Sequence, residues 1–340
     1  MRTILLAGGL LLAALGGAAV NRWWSPPDPR PADVQRPTRP IIQIVRQQTG
    51  LPDLSDVVDR TCPSVALIVP AGAELPLTGP ATAAPAVLLS DDGWLLSAAS
   101  ALPKGDLEAV FGNGQRTPVG EVRTDPVSGL ALAKVGNPQG SSLSLSDQPP
   151  PRAGQFGLAV ATPAGLGCSA AVAMVESDFV ADGGAQSGYF RLQPTAADWP
   201  AGLPILAGDG RILGVIASSD QSGTALPSST VSGIVDELMR NSLSPTTAFG
   251  FRAVEYEGSL ATRLGDVRAG AGVSLVEPGS KTAKTGLRAG DIVTSADGTP
   301  VSGASELSRA LDRAGATARL TVQRRDRQLT LTASRQTPAS

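Results

Sequence analysis

Apolar residues in this chain come in short runs separated by turn formers. Val65–Val69, Ala86–Leu89 and Trp94–Leu96 are three such runs, and Asp91-Asp92-Gly93 between the last two reads as a hairpin turn. With 39 glycines and 28 prolines in 340 residues, the backbone is interrupted too often for long helices and suits short strands. The same pattern predicts strands at Glu108–Phe111, Pro118–Val122, Leu130–Val135, Phe156–Ala161, Ala170–Val175, Tyr189–Leu192, Pro204–Ala207 and Leu213–Ala217. Evenly spaced short strands of this kind build a barrel or a sandwich. Ser229–Met239 departs from the pattern. There Val231, Ile234, Val235 and Leu238 share one face, which predicts a helix.

Residues 242–247 predict a linker, and a third unit follows. Its expected strands are Gly250–Val254, Gly272–Val276, Asp291–Ala296, Ala318–Gln323 and Gln328–Thr332, with a helix at Ala304–Ala314 whose apolar face carries Leu307, Ala310 and Leu311. Aromatic residues are only 4% of the chain, so Ala, Val and Leu must build the interior. A formal charge of −2 gives no reason to expect nucleic acid as a partner.

At the other end, Thr3–Val20 is an 18-residue uncharged run behind Met1-Arg2, the pattern of an export signal. Two readings of residues 1–20 stand. Small residues at Gly17-Ala18-Ala19 suit cleavage of a signal peptide, and 18 apolar residues just suffice for a signal anchor in the inner membrane. Residues 21–50 are rich in proline and predict an extended tether, with Trp23 and Trp24 at its start. Export implies an oxidising compartment, in which Cys62 and Cys168 either pair with each other or stay buried and free. No His/Cys cluster points to a metal, no motif points to a cofactor, and the chain has no histidine at all.

Three segments carry a family resemblance. They are Asp92-Gly93-Trp94-Leu95-Leu96-Ser97-Ala98-Ala99-Ser100-Ala101-Leu102, then Arg123-Thr124-Asp125-Pro126-Val127-Ser128-Gly129-Leu130-Ala131-Leu132-Ala133-Lys134-Val135, then Trp199-Pro200-Ala201-Gly202-Leu203-Pro204-Ile205 with the turn Gly208-Asp209-Gly210. In order and spacing they resemble the HtrA (DegP/DegS) family of exported trypsin-like proteases. The stretch Val276-Glu277-Pro278-Gly279-Ser280 through Gly286-Leu287 and Gly290-Asp291-Ile292 is similar to that family's PDZ signature. The resemblance implies a mostly β chain: a trypsin-like pair of six-stranded barrels over 51–241, then an α+β PDZ domain over 248–335. It also implies periplasmic placement.

The departures fall on the chemistry. Ser100 stands where the family has its histidine, Gly129 where it has its aspartate, and Ala201 where it has its nucleophilic serine. A methyl group cannot attack a carbonyl, and a hydroxyl cannot act as a base near neutral pH. Trp199 also replaces a glycine of the oxyanion loop, and Pro200 stiffens that turn. The expectation is a pseudoprotease with degenerate triad positions. The rival expectation is an active endopeptidase with another catalytic set, for which Ser97 or Ser100 with Lys104, or Asp125 with Asp198, are the candidates. For the PDZ unit the resemblance implies capture of peptide or protein C-termini by strand addition. Phe249, Gly250, Phe251, Leu307 and Leu311 are the candidate contacts, and a second copy of the chain is among the partners considered.

Overall fold

A computed structural model describes residues 53–75, 83–138, 140–147, 149–162, 167–177, 188–193, 199–217, 223–255 and 269–336. The apolar N-terminal run, the tether and Asp198 lie outside these. Asp53–Ser340 forms one compact unit by backbone contacts. Helix α1 (Ser55–Thr61) and a short 3-10 turn (Cys62–Ser64) lead into the first sheet. Its strands are β1 (Val65–Pro70), β2 (Ala84–Leu88), β3 (Trp94–Ala98), β4 (Leu107–Phe111), β5 (Arg116–Thr124) and β6 (Leu130–Val135). They close into an antiparallel barrel in the order β1-β2-β3-β6-β5-β4. Inside sit Ile68, Ala86, Leu88, Leu95 and Phe111, all at 0% exposure. The core is built largely of Ala, Val and Leu, as the scarcity of aromatics requires.

The second barrel comprises β7 (Phe156–Ala161), β8 (Ser169–Ser177), β9 (Phe190–Gln193), β10 (Pro204–Leu206), β11 (Ile212–Ile216) and β12 (Thr224–Pro227), closed as β10-β11-β12-β9-β8-β7. Strand β12 has no counterpart in the sequence reading. Its apolar signal is only Ala225-Leu226, and pairing with β11 and β9 decides its conformation. Helix α2 (Ser228–Met239) buries Val231, Ile234, Val235 and Leu238, the predicted face. The helix packs into a cluster that joins both barrels. Arg123 of β5 donates to the Leu238 and Met239 carbonyls at the end of α2, at 2.8 and 2.6 Å, and lies 4.7 Å over the ring of Trp94. A cation at a helix C-terminus meets the negative end of the helix dipole. Cys62 and Cys168 form a disulfide that ties the segment before β1 to the segment before β8 across 106 residues of sequence.

The residues expected as a linker are not extended throughout. Pro245–Ala248 forms a helical turn, α3, because Ser244 accepts the Thr247 N–H and proline fits the first helical position. The third unit is a sheet in the order β13-β14-β15-β17-β18, with β16 beside β15. Its elements are β13 (Phe251–Glu255), β14 (Ala271–Val276), α4 (Lys281–Lys284), β15 (Ile292–Ala296), β16 (Thr299–Pro300), α5 (Ala304–Arg313), β17 (Thr317–Arg324) and β18 (Arg327–Ser334). Leu307 and Leu311 of α5 face the sheet at 0% exposure. This unit is docked on the barrels. Leu275 of β14 is buried in the cluster that contains α2, and a Cβ on Gly188 of the second barrel would lie 2.9 Å from the Ser274 carbonyl.

Candidate functional site

Ser100, Gly129 and Ala201, the positions that the family resemblance aligns with a catalytic triad, sit on three segments that pack together. Ser100 lies in a 3-10 turn (Ala99–Ala101) at the end of β3, and its side chain is exposed. Gly129 ends the turn after Asp125, and its carbonyl accepts the Ala99 N–H at 2.8 Å. Ala201 opens the turn before β10 and is only 2% exposed. Next to it, Gly202 is pressed onto the first barrel. A Cβ there would meet Pro85 O at 2.5 Å, Ser97 Oγ at 2.8 Å and Ala98 N at 3.0 Å. Only glycine fits, both for space and for its φ of +92°.

The Gly129 loop and the Ala201 turn therefore both pack against the end of β3. At Ala201 a buried methyl stands at the position that the family resemblance aligns with a nucleophile. At Gly129 the backbone has φ +73°, a conformation that disfavours any side chain. The loop around it is held by its own hydrogen bonds. Gly129 N–H donates to Asp125 O at 2.9 Å, Ser128 N–H to Asp125 Oδ2 at 2.8 Å, and Leu130 N–H to Ser128 Oγ at 3.2 Å. Trp199 is half-buried against the core of the second barrel. The Gly202 N–H, rather than facing a ligand, donates to Ile216 O at 2.7 Å.

Of the rival catalytic sets, the Asp125 and Asp198 pair cannot be placed because Asp198 lies outside the described residues. Ser97 is fully buried and donates its hydroxyl to Pro85 O at 2.7 Å. Lys104 is exposed to solvent. Lys134 is held by Asp92 at 2.6 Å and stacks over Trp94. Among the described residues no group of three His, Cys, Asp or Glu side chains is placed to hold a metal ion.

Asp125 has a role that the sequence did not reveal. It is fully buried and faces the third unit, where Arg252 of β13 reaches it. Arg252 Nε donates to Asp125 Oδ2 at 3.2 Å, and Nη2 lies 3.0 Å from Oδ1 in an ion contact angled too poorly for a hydrogen bond. The same guanidinium is bidentate to Glu237 of α2, at 3.2 and 3.0 Å. Burial opposes the charge on Arg252, but the two carboxylates outweigh it and raise its pKa. Breaking such a buried set by removing one partner costs about 3–5 kcal/mol, because a charge is left uncompensated. The only local signal is an arginine directly after Ala248-Phe249-Gly250-Phe251, and nothing in its spacing names its partners.

The candidate peptide contacts also come together. Phe249, Phe251, Leu307 and Leu311 share one cluster, each at 0% exposure. Arg335 stacks over the Phe249 ring at 4.9 Å. In the loop, Phe249 N–H donates to Thr246 O at 3.0 Å and Gly250 N–H to Thr247 O at 2.9 Å. At the far end of β13, the Glu255 carboxylate accepts the Ala304 and Ser305 N–H groups at the start of α5, at 3.0 and 3.1 Å. The backbone donation from Ser305 leads the interactions that hold the Glu255 pKa below the usual carboxylate range. A separate open groove of about 500 Å³, lined by Thr317, Arg319, Thr321 and Thr330, lies on β17 and β18 away from both places.

Known proteins agree with this architecture. A PDZ domain model matches residues 272–324. The periplasmic serine endoprotease DegP of Salmonella typhimurium is 27% identical over 214 residues, covering 58% of this chain and 44% of DegP. The chain is similar to HtrA/DegP proteins and carries a match to the PDZ domain. The serine protease HhoA of Synechocystis, itself assigned only putatively, is 27% identical over 285 residues, covering 72% of this chain and 68% of HhoA. The HtrA-type protease AlgW, solved with a decapeptide, superposes with a TM-score of 0.51 at 19% identity, over 84% of this chain and 99% of that one. That likeness establishes the fold. The HtrA-like chain spans less than half the length of the DegP protein it matches.

Proposed function

We propose that this HtrA-like chain is catalytically inactive and works by binding, as a scaffold or regulator that takes peptides or protein partners through its PDZ unit and its degenerate protease body. The observation that carries this reading is Ala201. The turn that would hold a nucleophile is in place and tightly packed, yet it presents a buried methyl, while Ser100 and Gly129 supply neither base nor carboxylate. Residues around Phe249, Gly250, Phe251, Leu307 and Leu311 form the proposed peptide site. The periplasm is the proposed compartment, supported by the likeness to periplasmic DegP and DegQ proteins and by the disulfide. Delivery there is assigned to residues 1–20, as cleaved signal or as inner-membrane anchor. The test is a fluorophosphonate probe, which labels activated serines. No labelling is expected of the purified chain or of Ala201→Ser, since base, carboxylate and oxyanion loop are missing together. Labelling of one serine that disappears on denaturation refutes the proposal.

A further inference from the structure

The loop that would hold a peptide carboxylate is closed, and both of its ends are held by one side chain. Carboxylate capture needs backbone N–H groups that point outward. Those of Phe249 and Gly250 instead complete the helical turn α3, as donors to Thr246 O and Thr247 O. Just before the turn, Ser244 N–H donates to Glu237 Oε2 at 3.2 Å. Just after the loop, Arg252 binds the same carboxylate through two nitrogens. Glu237 stands on α2, in the protease body, with its side chain 17% exposed. The Ser244 hydroxyl, close to Thr246 and Thr247 Oγ1 at 3.0 and 2.9 Å, caps the turn from within. Phe249 and Phe251 themselves are buried in the core of the unit.

We infer that Glu237 and Arg252 form a latch by which the protease body holds the carboxylate loop of the PDZ unit in a self-satisfied, closed form, so that peptide capture requires release of the latch. This rests on the peptide-binding reading above. The physical logic is competition. Each loop N–H has one hydrogen to give, and the helical turn and an incoming carboxylate need the same two. Anchoring both Ser244 and Arg252 to one rigid helix stabilises the turn and depletes the open state, which lowers apparent affinity by the fraction of molecules that are open. The closed pair is also where the two halves of the molecule meet. Arg252 is shared with Asp125, whose carboxylate holds the turn ending at Gly129, so any partner that draws Arg252 away loosens that loop as well.

The experiment uses the full chain and two variants. Glu237→Gln removes the charge from the latch, while Ser244→Ala removes the cap without touching a buried ion pair and so covers the case in which the first variant folds poorly. Amide hydrogen exchange is followed by mass spectrometry for fragments spanning 244–252 and for fragments of β3 and β11 as a folding control. Binding is followed with a labelled decapeptide pool ending in Val, Leu or Phe, in free-acid and amide forms. The expected result is slow loop exchange in the wild type and exchange faster by about tenfold or more in Glu237→Gln, with the control strands unchanged. Affinity for the acid pool should rise by a similar factor, and by less for Ser244→Ala. Loop amides that exchange fast in the wild type, or that stay slow in both folded variants, overturn the latch itself. Loop exchange that opens without any gain in acid-pool binding overturns its inhibitory role and counts against the peptide-binding reading, while leaving the closed-loop geometry standing.

Discussion

Two glycines with the same backbone angle separate strain from steric contact at the Ala201 turn. Gly202 and Gly105 both have φ +92°, so a side chain at either costs about 1–2 kcal/mol in backbone strain. At Gly105 an added Cβ would meet nothing within 4 Å. At Gly202 it would lie 2.5 Å from Pro85 O, 2.8 Å from Ser97 Oγ and 3.0 Å from Ala98 N. Two of these three are backbone atoms of β2 and β3, which cannot rotate aside, and the hydroxyl is committed to the Pro85 carbonyl. Overpacking of this kind adds about 1–3 kcal/mol. Gly202→Ala should therefore lose about 2–5 kcal/mol and Gly105→Ala about 1–2 kcal/mol. Gly208→Ala, with neither a positive φ nor a neighbour within 4 Å, should stay within about 0.5 kcal/mol of the parent or gain slightly. Urea denaturation followed by circular dichroism, analysed with a common slope, gives the three differences. A Gly202→Ala variant no weaker than Gly105→Ala would falsify the packing of the Ala201 turn on β3, and with it the convergence of Ser100, Gly129 and Ala201.

Replacing Cys62 and Cys168 together by serine frees a loop of 106 residues. Chain entropy sets an upper loss of about 4.7 kcal/mol for such a loop, a fall in Tm of roughly 10–20 °C; a calorimetric midpoint within about 2 °C of the parent contradicts the cross-link's stabilising role. Glu277 has a buried oxygen, Oε2, without a hydrogen-bond partner, and burial first, then the charge of Asp125, raise its pKa. A raised carboxylate stabilises the fold below its unfolded pKa and loses that contribution as pH rises through the folded value. Glu277→Gln should accordingly match the parent in acid and exceed it at neutral pH, and denaturation midpoints measured across that range reject the assignment if the order is reversed. Glu255 has the opposite sign: its lowered pKa makes its capping of α5 effective above the usual carboxylate range and lost as pH falls through the folded value. Glu255→Gln should cost on the order of 1 kcal/mol at neutral pH and nothing in acid. Equal losses at both pH values argue against the charged cap.

Which parts were legible in the sequence follows from how local their physics is. The barrel strands were readable because each is a short apolar run bounded by turn residues, and the helix at Ser228–Met239 because its burial follows a helical period. Strand β12 was not, since two apolar residues before Pro227 become a strand only through β9 and β11 on either side. Ser100, Gly129 and Ala201 were singled out by the family resemblance, and the structure adds that their segments pack together. Phe249, Phe251, Leu307 and Leu311 were grouped as candidate peptide contacts by type and position, and packing shows that they share one buried core cluster.

The sequence by itself determined that the chain has no histidine and that alanine stands at position 201, facts of composition that no fold can reverse. Local pattern pointed to a barrel or sandwich and a third unit, and the family resemblance supplied the order of barrels and PDZ unit. Tertiary structure alone decided that Cys62 meets Cys168, that Arg252 bridges Asp125 and Glu237, and that the Phe249 and Gly250 N–H groups bond to Thr246 and Thr247. The reason is sequence distance. Arg252 and Asp125 are 127 residues apart, and the match of a buried guanidinium to two carboxylates exists only once both barrels and the third unit have closed around it.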